Sequence, residues 1–368
     1  MDFEWPDELL ALREEAAKVG AEAAADLPVK EDSWINGYDQ EFARELGRRG
    51  WIGMTWPTEY GGHGRTPLER FVVTEALIEA GAPIAASWFA DRQMGPSILA
   101  FGTEEQKRRF IPEIVRGESN WSIGMSEPDN GSDLAHLRCR AVQHGDEFVV
   151  DGRKVWTSFA ATADWIYLIC RTDPDAPAHK GLSELIVPMD SPGIEVTPIQ
   201  DMTTNRHFCE VTFDEVRVPK ENLVGQLNGS WKQTMGQLEH ERGGIDRLIS
   251  NRALYLDTLP HADVSDPLIR QEIAAIEAGY RIGRLLVIRG VLGQAPQGTA
   301  AITKTFGTEL EQRIADFCAR VMGPEATLWN RWSRNLCYAP AYTIMGGTSN
   351  ILRNIIGDRV LGLPREPA

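Results

Sequence analysis

Strand-type sequence is confined to one block in the middle of this 368-residue chain, with helical sequence on either side. Up to about residue 120 the pattern is helical. Leu9, Leu10 and Leu12 with Ala16 and Val19 give an apolar stripe at helical spacing. Thr66-Pro-Leu-Glu69 supplies a capping threonine, a proline at the first helical position and a glutamate at the third. Thr103-Glu-Glu-Gln106 repeats that capping logic, and Trp56 to Gly62 reads as a turn-rich loop. Near Trp121 the character changes. Phe148-Val-Val150 is flanked by His144-Gly145 and Asp151-Gly152, both hairpin-type turn signals. Trp165 to Cys170, Leu185 to Val187 and Val211 to Phe213 read as further strands, punctuated by Pro188, Pro192 and Pro219. From Gly229 helical periodicity returns. Met235, Leu238, Ile245, Leu248 and Ile249 are placed on one helix face, Leu259 to Asp266 in a helix–helix loop, and Ile351, Ile355 and Val360 in a last helix. The order predicts an α+β fold with a helical domain at 1–120, a β domain at 121–226 and a helical bundle at 227–368.

The length accommodates two or three packed units. A formal net charge of −15 and a pI of about 5.0 argue against a general nucleic-acid or anionic-membrane surface, while leaving room for an anionic ligand in a local basic pocket. No stretch approaches the roughly 20 apolar residues of a membrane span. The acidic start, Met1-Asp-Phe-Glu-Trp5, lacks the pattern of a signal peptide. Five scattered cysteines without CxxC spacing read as free thiols, so a cytoplasmic location is expected. The seven histidines form no HExxH, so no metal site is expected.

Five motifs stand in sequence: Gly102-Thr-Glu-Glu-Gln-Lys107, Ser126-Glu-Pro-Asp-Asn-Gly-Ser-Asp133, Lys154-Val-Trp-Thr-Ser158, Tyr342-Thr-Ile-Met-Gly-Gly-Thr-Ser-Asn350 and Arg359-Val-Leu-Gly-Leu-Pro-Arg365. In order and spacing they resemble the acyl-CoA dehydrogenase family over essentially the whole chain. The resemblance implies a barrel-like middle domain, FAD as cofactor, an acyl-CoA substrate and an electron-transfer flavoprotein as acceptor. It assigns Met125 and Ser126 to the flavin pyrimidine side and Gly131 and Ser132 to the diphosphate. Trp156, Ser158, Thr348 and Asn350 are its remaining flavin residues. Taken as residues alone, Asp129 to Ser132 can expose backbone N–H groups to a diphosphate or form a plain surface turn. Trp156 can cover a flavin ring or fill a β-domain core. No GxGxxG follows a strand, so a Rossmann site is not indicated.

Many members of that family carry their catalytic glutamate immediately before Gly-Thr-Ser. Here that slot is Gly346, which cannot take a proton. Glu241, in Leu238-Glu-His-Glu-Arg-Gly243, is the alternative base. Spacing places it on the face of Leu238 and Ile245, where partial desolvation raises a carboxyl pKa. The opposing reading is a solvated charged cluster of Glu239, His240, Glu241 and Arg242, and periodicity alone does not decide. Family members acting on long or branched acyl chains carry Gly or Ala in the C-terminal slot and a Glu-Arg pair on the central helix, which Glu241-Arg242 with Gly346 resembles. The Gly346 N–H is expected to bond the thioester carbonyl, with Arg242 and Gly347 at the substrate.

Two family motifs that complete a neighbour's flavin site, Arg-x-x-Phe-Gly and Gly-Gly-x-Gly, are missing. The corresponding stretches read Ser265-Asp-Pro-Leu-Ile-Arg-Gln271 and Val321-Met-Gly-Pro-Glu-Ala326. This pattern resembles the bacterial dehydrogenases of steroid side-chain breakdown and implies a hetero-oligomer with a related dehydrogenase subunit. The alternative is a homodimer or homotetramer in which residues such as Arg270 take over those contacts. A non-catalytic partner subunit and a flavin oxidase or monooxygenase on the same fold are the competing functions.

Overall fold

The computed structural model describes residues 5–364 apart from residue 297, and at 239–241 the backbone alone. Met1 to Glu4 and Arg365, the end of the last motif, lie outside the described residues. The chain divides into two compact units. One comprises Asp39–Gly64 and Ala86–Leu238, the other Met1–Tyr38, Arg65–Ala85 and Glu239–Ala368.

The first unit is built on one eight-stranded sheet. Its strands are β1 (Trp121–Gly124), β2 (Arg140–His144), β3 (Glu147–Ser158), β4 (Trp165–Arg171), β5 (Leu182–Pro188), β6 (Ile194–Ile199), β7 (Phe208–Pro219) and β8 (Leu223–Val224). They run in the order β6-β7-β3-β2-β4-β5-β8, with β1 parallel to β4. Alternation fixes the inner face. Phe148 and Val150 of β3 join Val211, Phe213, Val216 and Val218 of β7 in one core with Ile166, Leu168 and Cys170 of β4. The unbroken apolar run of β4 is explained by burial on both faces. Ile169 points the other way, into a second cluster with Leu134, Leu137 and Leu182, against which Met235 and Leu238 pack. Each such aliphatic side chain contributes about 1.5–3 kcal/mol by leaving water. The Glu104–Val115 helix carries the expected capping box at Thr103 and sets Phe110 edge-on to Trp121 and Trp165, with ring centroids 5.5 and 5.1 Å away.

Two local expectations are corrected. His144-Gly145 does open the β2–β3 hairpin, but Asp151-Gly152 lies inside β3 at a register shift against β7. There Gly152 passes so close to Cys139 that a Cβ would stand 2.6 Å from its Cα, which makes the pair a bulge rather than a turn. The second correction concerns the central helix. It runs from Trp231 to Arg242, breaks at Gly243-Gly244 and resumes as a short helix at Asp246–Ile249. Glu241 and Ile245 therefore share no continuous helix face.

In the second unit the Asp7–Ala23 helix packs on the Pro67–Glu79 helix, where Gly20 allows close approach to Ala80. The Thr66 capping box forms as its sequence predicts. Glu75, buried, takes a bidentate pair from Arg284 at 2.6 and 2.9 Å, fastening the Pro267–Val291 helix. The Thr299–Met322 helix is the centre of this unit, burying Leu310, Ile314, Phe317 and Cys318. Among the described residues no helix is long and apolar enough to cross a membrane.

Candidate active-site elements

In the sheet-bearing unit, the flavin-type loop is tied to β3 by a buried ion pair. Lys154 Nζ donates to Glu127 Oε1 at 2.9 Å and to the Met125 carbonyl at 3.1 Å, and both side chains are buried. The other lone pairs of Glu127 accept the N–H groups of Arg138 (2.7 Å) and Cys139 (2.9 Å). Burial opposes the Glu127 charge, but Lys154 and these N–H donors outweigh it and hold the carboxyl below its usual range. The Val155 N–H reaches the Ser126 carbonyl at 2.9 Å. Met125 and Ser126 are thus brought against the strand that carries Trp156 and Ser158. Glu127 and Asn130 close the loop by exchanging N–H···O bonds of 3.1 Å, so the Asn130 N–H is used internally. Gly131 and Ser132 stand exposed beyond it, with nothing within 4 Å of where a Gly131 side chain would begin.

The strand itself is strained. Trp156, at a register shift between Lys154 and Thr157, and Phe159, just past the end of β3, both have left-handed backbone, φ 60° and 58°. Such φ values are costly for bulky residues, and they cluster at functional sites. Trp156 is 57% exposed, edge-on to Phe208 with centroids 5.9 Å apart. The next side-chain hydroxyl, Thr157 Oγ1, is buried without a hydrogen-bond partner. A large aromatic face left in solvent on a strained strand, a free hydroxyl beside it and an open glycine turn fit a planar cofactor with a diphosphate arm. Ser158 is buried, and its carbonyl accepts the Ser122 hydroxyl at 2.9 Å.

Sequence reasoning missed Glu184. This fully buried carboxyl on β5 accepts hydrogen bonds from Tyr167 (2.6 Å), Thr234 (2.7 Å) and Gln233 (2.8 Å), with Gln237 at 3.4 Å. Burial pushes it above its usual pKa, and the hydrogen bonds offset this only in part. The Trp231–Arg242 helix therefore buries polar side chains at Gln233, Thr234 and Gln237 beside the apolar contacts of Met235 and Leu238. A glutamate inside the run Leu182-Ser-Glu-Leu-Ile-Val187 was the available signal.

In the other unit, Tyr342 to Gly347 is pinned from two sides. Lys304, fully buried, donates from Nζ to the carbonyls of Tyr342 and Gly347, each at 2.9 Å. Arg242 donates from Nε to the Gly346 carbonyl at 3.0 Å. Gly346 and Gly347 have φ 66° and 98°, and a Cβ on Gly347 would lie 3.0 Å from Arg242. Two successive left-handed positions, the second with Arg242 against it, explain the glycine pair. Thr348 caps the Ser349–Ile355 helix through the Ile351 N–H, and Asn350 is exposed. The backbone of Glu241 is helical; its side chain lies outside the described residues.

Behind this segment, the Tyr342 hydroxyl lies 2.7 Å from both Asp32 Oδ1 and Asn251 Oδ1, and Asn335 donates to Asn251 at 2.6 Å. Burial raises the Asp32 carboxyl to about 8 despite the bond to Tyr342. Nearby Glu311, also buried, is raised well above its usual value for the same reason. Arg270 uses Nη1 on the carbonyls of Val264 (2.7 Å) and Ser265 (2.8 Å) of its own loop. All five cysteines are free, and among the described residues no cluster could hold a metal.

Comparison with known proteins gives the family. The acyl-CoA dehydrogenase N-terminal, middle and C-terminal domain models match residues 6–118, 122–216 and 228–361. The chain is similar to acyl-CoA dehydrogenase IpdE1 of Mycobacterium tuberculosis, 34% identical over 338 residues, covering 88% of this chain and 87% of that one. Among solved structures it is similar to the Tcur3481-Tcur3483 steroid ACAD, 34% identical with a TM-score of 0.89, covering 100% of both chains. It is also similar to a chain of the ChsE4-ChsE5 complex of Mycobacterium tuberculosis, 32% identical with a TM-score of 0.86, again over 100% of both. The chain belongs to the acyl-CoA dehydrogenase family of flavoprotein oxidoreductases.

Proposed function

We propose that this chain is an FAD-dependent dehydrogenase of a bulky or branched acyl-CoA thioester, of the steroid side-chain class, with Glu241 as the base. The observation that carries the reading is the Arg242–Gly346 bond. The residue after Glu241 is fastened to the residue that stands where many family members keep their glutamate, so the helix end supplies the carboxylate that the Gly-Gly segment lacks. Bound FAD would supply acceptance of the β hydrogen as hydride. Glu241 takes the α proton, and the Gly346 N–H bonds the thioester carbonyl as negative charge builds on it. Arg242 and Gly347 shape the segment beside the substrate. Met125, Ser126, Trp156 and Ser158 would hold the isoalloxazine, Gly131 and Ser132 the diphosphate, with Thr348 and Asn350 completing the cofactor contacts. The division at 1–120, 121–226 and 227–368 is the one we propose, supported by the three family matches.

The test is anaerobic mixing of the purified flavoprotein with acyl-CoA thioesters. Bleaching by sterol-side-chain or branched thioesters at least about tenfold faster than by butyryl-CoA, a difference of about 1.4 kcal/mol in barrier, supports the reading. Equal rates contradict the substrate class. A chain that binds no flavin with any partner is a non-catalytic subunit, and rapid reoxidation by oxygen marks an oxidase or monooxygenase.

The assembly we propose is a hetero-oligomer with a related dehydrogenase subunit, passing electrons to an electron-transfer flavoprotein. One similar structure is the ChsE4-ChsE5 complex of Mycobacterium tuberculosis, and the two replaced motifs point the same way. A buried diphosphate needs polar partners, and Arg270 is committed to its own loop. Expression alone should give little FAD-loaded protein, with loading restored by co-expression of the partner. A stable homo-oligomer with one FAD per chain and full activity overturns this.

A further inference from the structure

A lysine ammonium has three donors and no acceptor, and burying its charge is costly unless that charge is used. Lys304 is buried, and two of its donors go to backbone carbonyls at the two ends of one short segment, Tyr342 and Gly347. Between them the Gly346 carbonyl takes the Arg242 guanidinium. Three carbonyls around the Gly346-Gly347 pair therefore face cations. In a trans peptide the N–H points opposite to the C=O. Fixing the oxygens of Gly346 and Gly347 on cations sets the two peptides that follow the Gly346 N–H, and so fixes the segment from which that N–H projects. Any neutral donor pair would serve to hold the segment in place. A full positive charge does more, because its field favours negative charge on a group that the segment's Gly346 N–H faces.

We infer that Lys304 is a positioning residue for the proton-abstraction step: by holding the carbonyls of Tyr342 and Gly347 it fixes the segment that presents the Gly346 N–H, and its charge acidifies the α carbon of a thioester whose carbonyl that N–H holds. This inference rests on the proposed function. The test uses FAD-loaded protein and acetoacetyl-CoA, which loses its α proton on binding without being dehydrogenated. The long-wavelength absorbance of the enolate against the flavin is followed against pH. Lys304→Gln, which keeps donors but not charge, and Lys304→Met, which keeps neither, should both raise the apparent pKa of the bound ligand by about one unit, a tenfold loss of acidity. FAD content should be retained, and Tm should fall more in Lys304→Met than in Lys304→Gln. If Lys304→Met gives no soluble protein, Lys304→Gln decides alone. An unchanged ligand pKa in Lys304→Gln overturns the inference and leaves a neutral staple. Turnover of Glu241→Gln is measured beside it. Normal turnover there with the Lys304 shift intact removes only the base assignment; lost turnover with no Lys304 shift removes only this inference.

Discussion

The Nε of Arg242 donates to the carbonyl oxygen of Gly346 at 3.0 Å, across 104 residues of sequence. A hydrogen bond from a charged donor contributes about 1.5–3 kcal/mol. If it sets the geometry of the reacting segment, its loss should appear in turnover. Arg242→Gln is expected to lower kcat about 10- to 100-fold with FAD content unchanged. Arg242→Lys should recover only part, because an ammonium lacks the planar fork. Steady-state kinetics with flavin quantitation checks both.

Lys154 and Glu127 form a pair in which either residue alone would be a buried, unmatched charge. Lys154→Met is expected to cost about 3–5 kcal/mol and to release FAD, since the pair holds the Met125–Ser126 loop against β3. Glu127 is held below its ordinary pKa, so its stabilisation is present above about pH 4.5 and is lost as pH falls through the depressed value. Urea titration and flavin fluorescence between about pH 3 and about pH 7 give the measurement.

Asp32 works in the opposite sense. Its carboxyl titrates at about 8 in the fold against 3.8 when free, so folding takes up a proton between those values. Stability then falls as pH rises from about 4 to about 8, by up to about 1.4 kcal/mol per pH unit from this group. The Tyr342 hydroxyl donates to Asp32 Oδ1 and lies equally close to Asn251 Oδ1, each at 2.7 Å. An asparagine side chain in place of Asp32 would keep an uncharged oxygen acceptor for the Tyr342 hydroxyl and suits the left-handed backbone, φ 58°. Asp32→Asn should therefore flatten the pH dependence of urea unfolding, with stability at about pH 8 equal to or above the parent. A steeper slope would contradict the assignment.

What was legible in the sequence was local. The capping boxes at Thr66 and Thr103 and the strands around Phe148, Ile166 and Val211 depend on neighbours a few residues away. Asp151-Gly152 carries a turn signal, but pairing of β3 with β7 on both sides turned it into a bulge. The break at Gly243-Gly244 was written in the chain, yet an apolar spacing that happens to continue across it joined Ile245 to a helix that ends at Arg242. Glu184 was hidden because its donors Gln233 and Thr234 lie 49 and 50 residues away. The Lys304 contacts, 38 and 43 residues distant, leave no local trace.

The central claim is that Glu241 replaces the carboxylate absent at Gly346. The most direct measurement is the turnover of Glu241→Gln, assembled with its partner and loaded with FAD, on a thioester that the parent dehydrogenates. An amide keeps the shape and cannot accept the α proton. The expected result is unchanged FAD content and Tm with turnover reduced about 10²- to 10⁴-fold. Turnover within a few-fold of the parent would contradict the account.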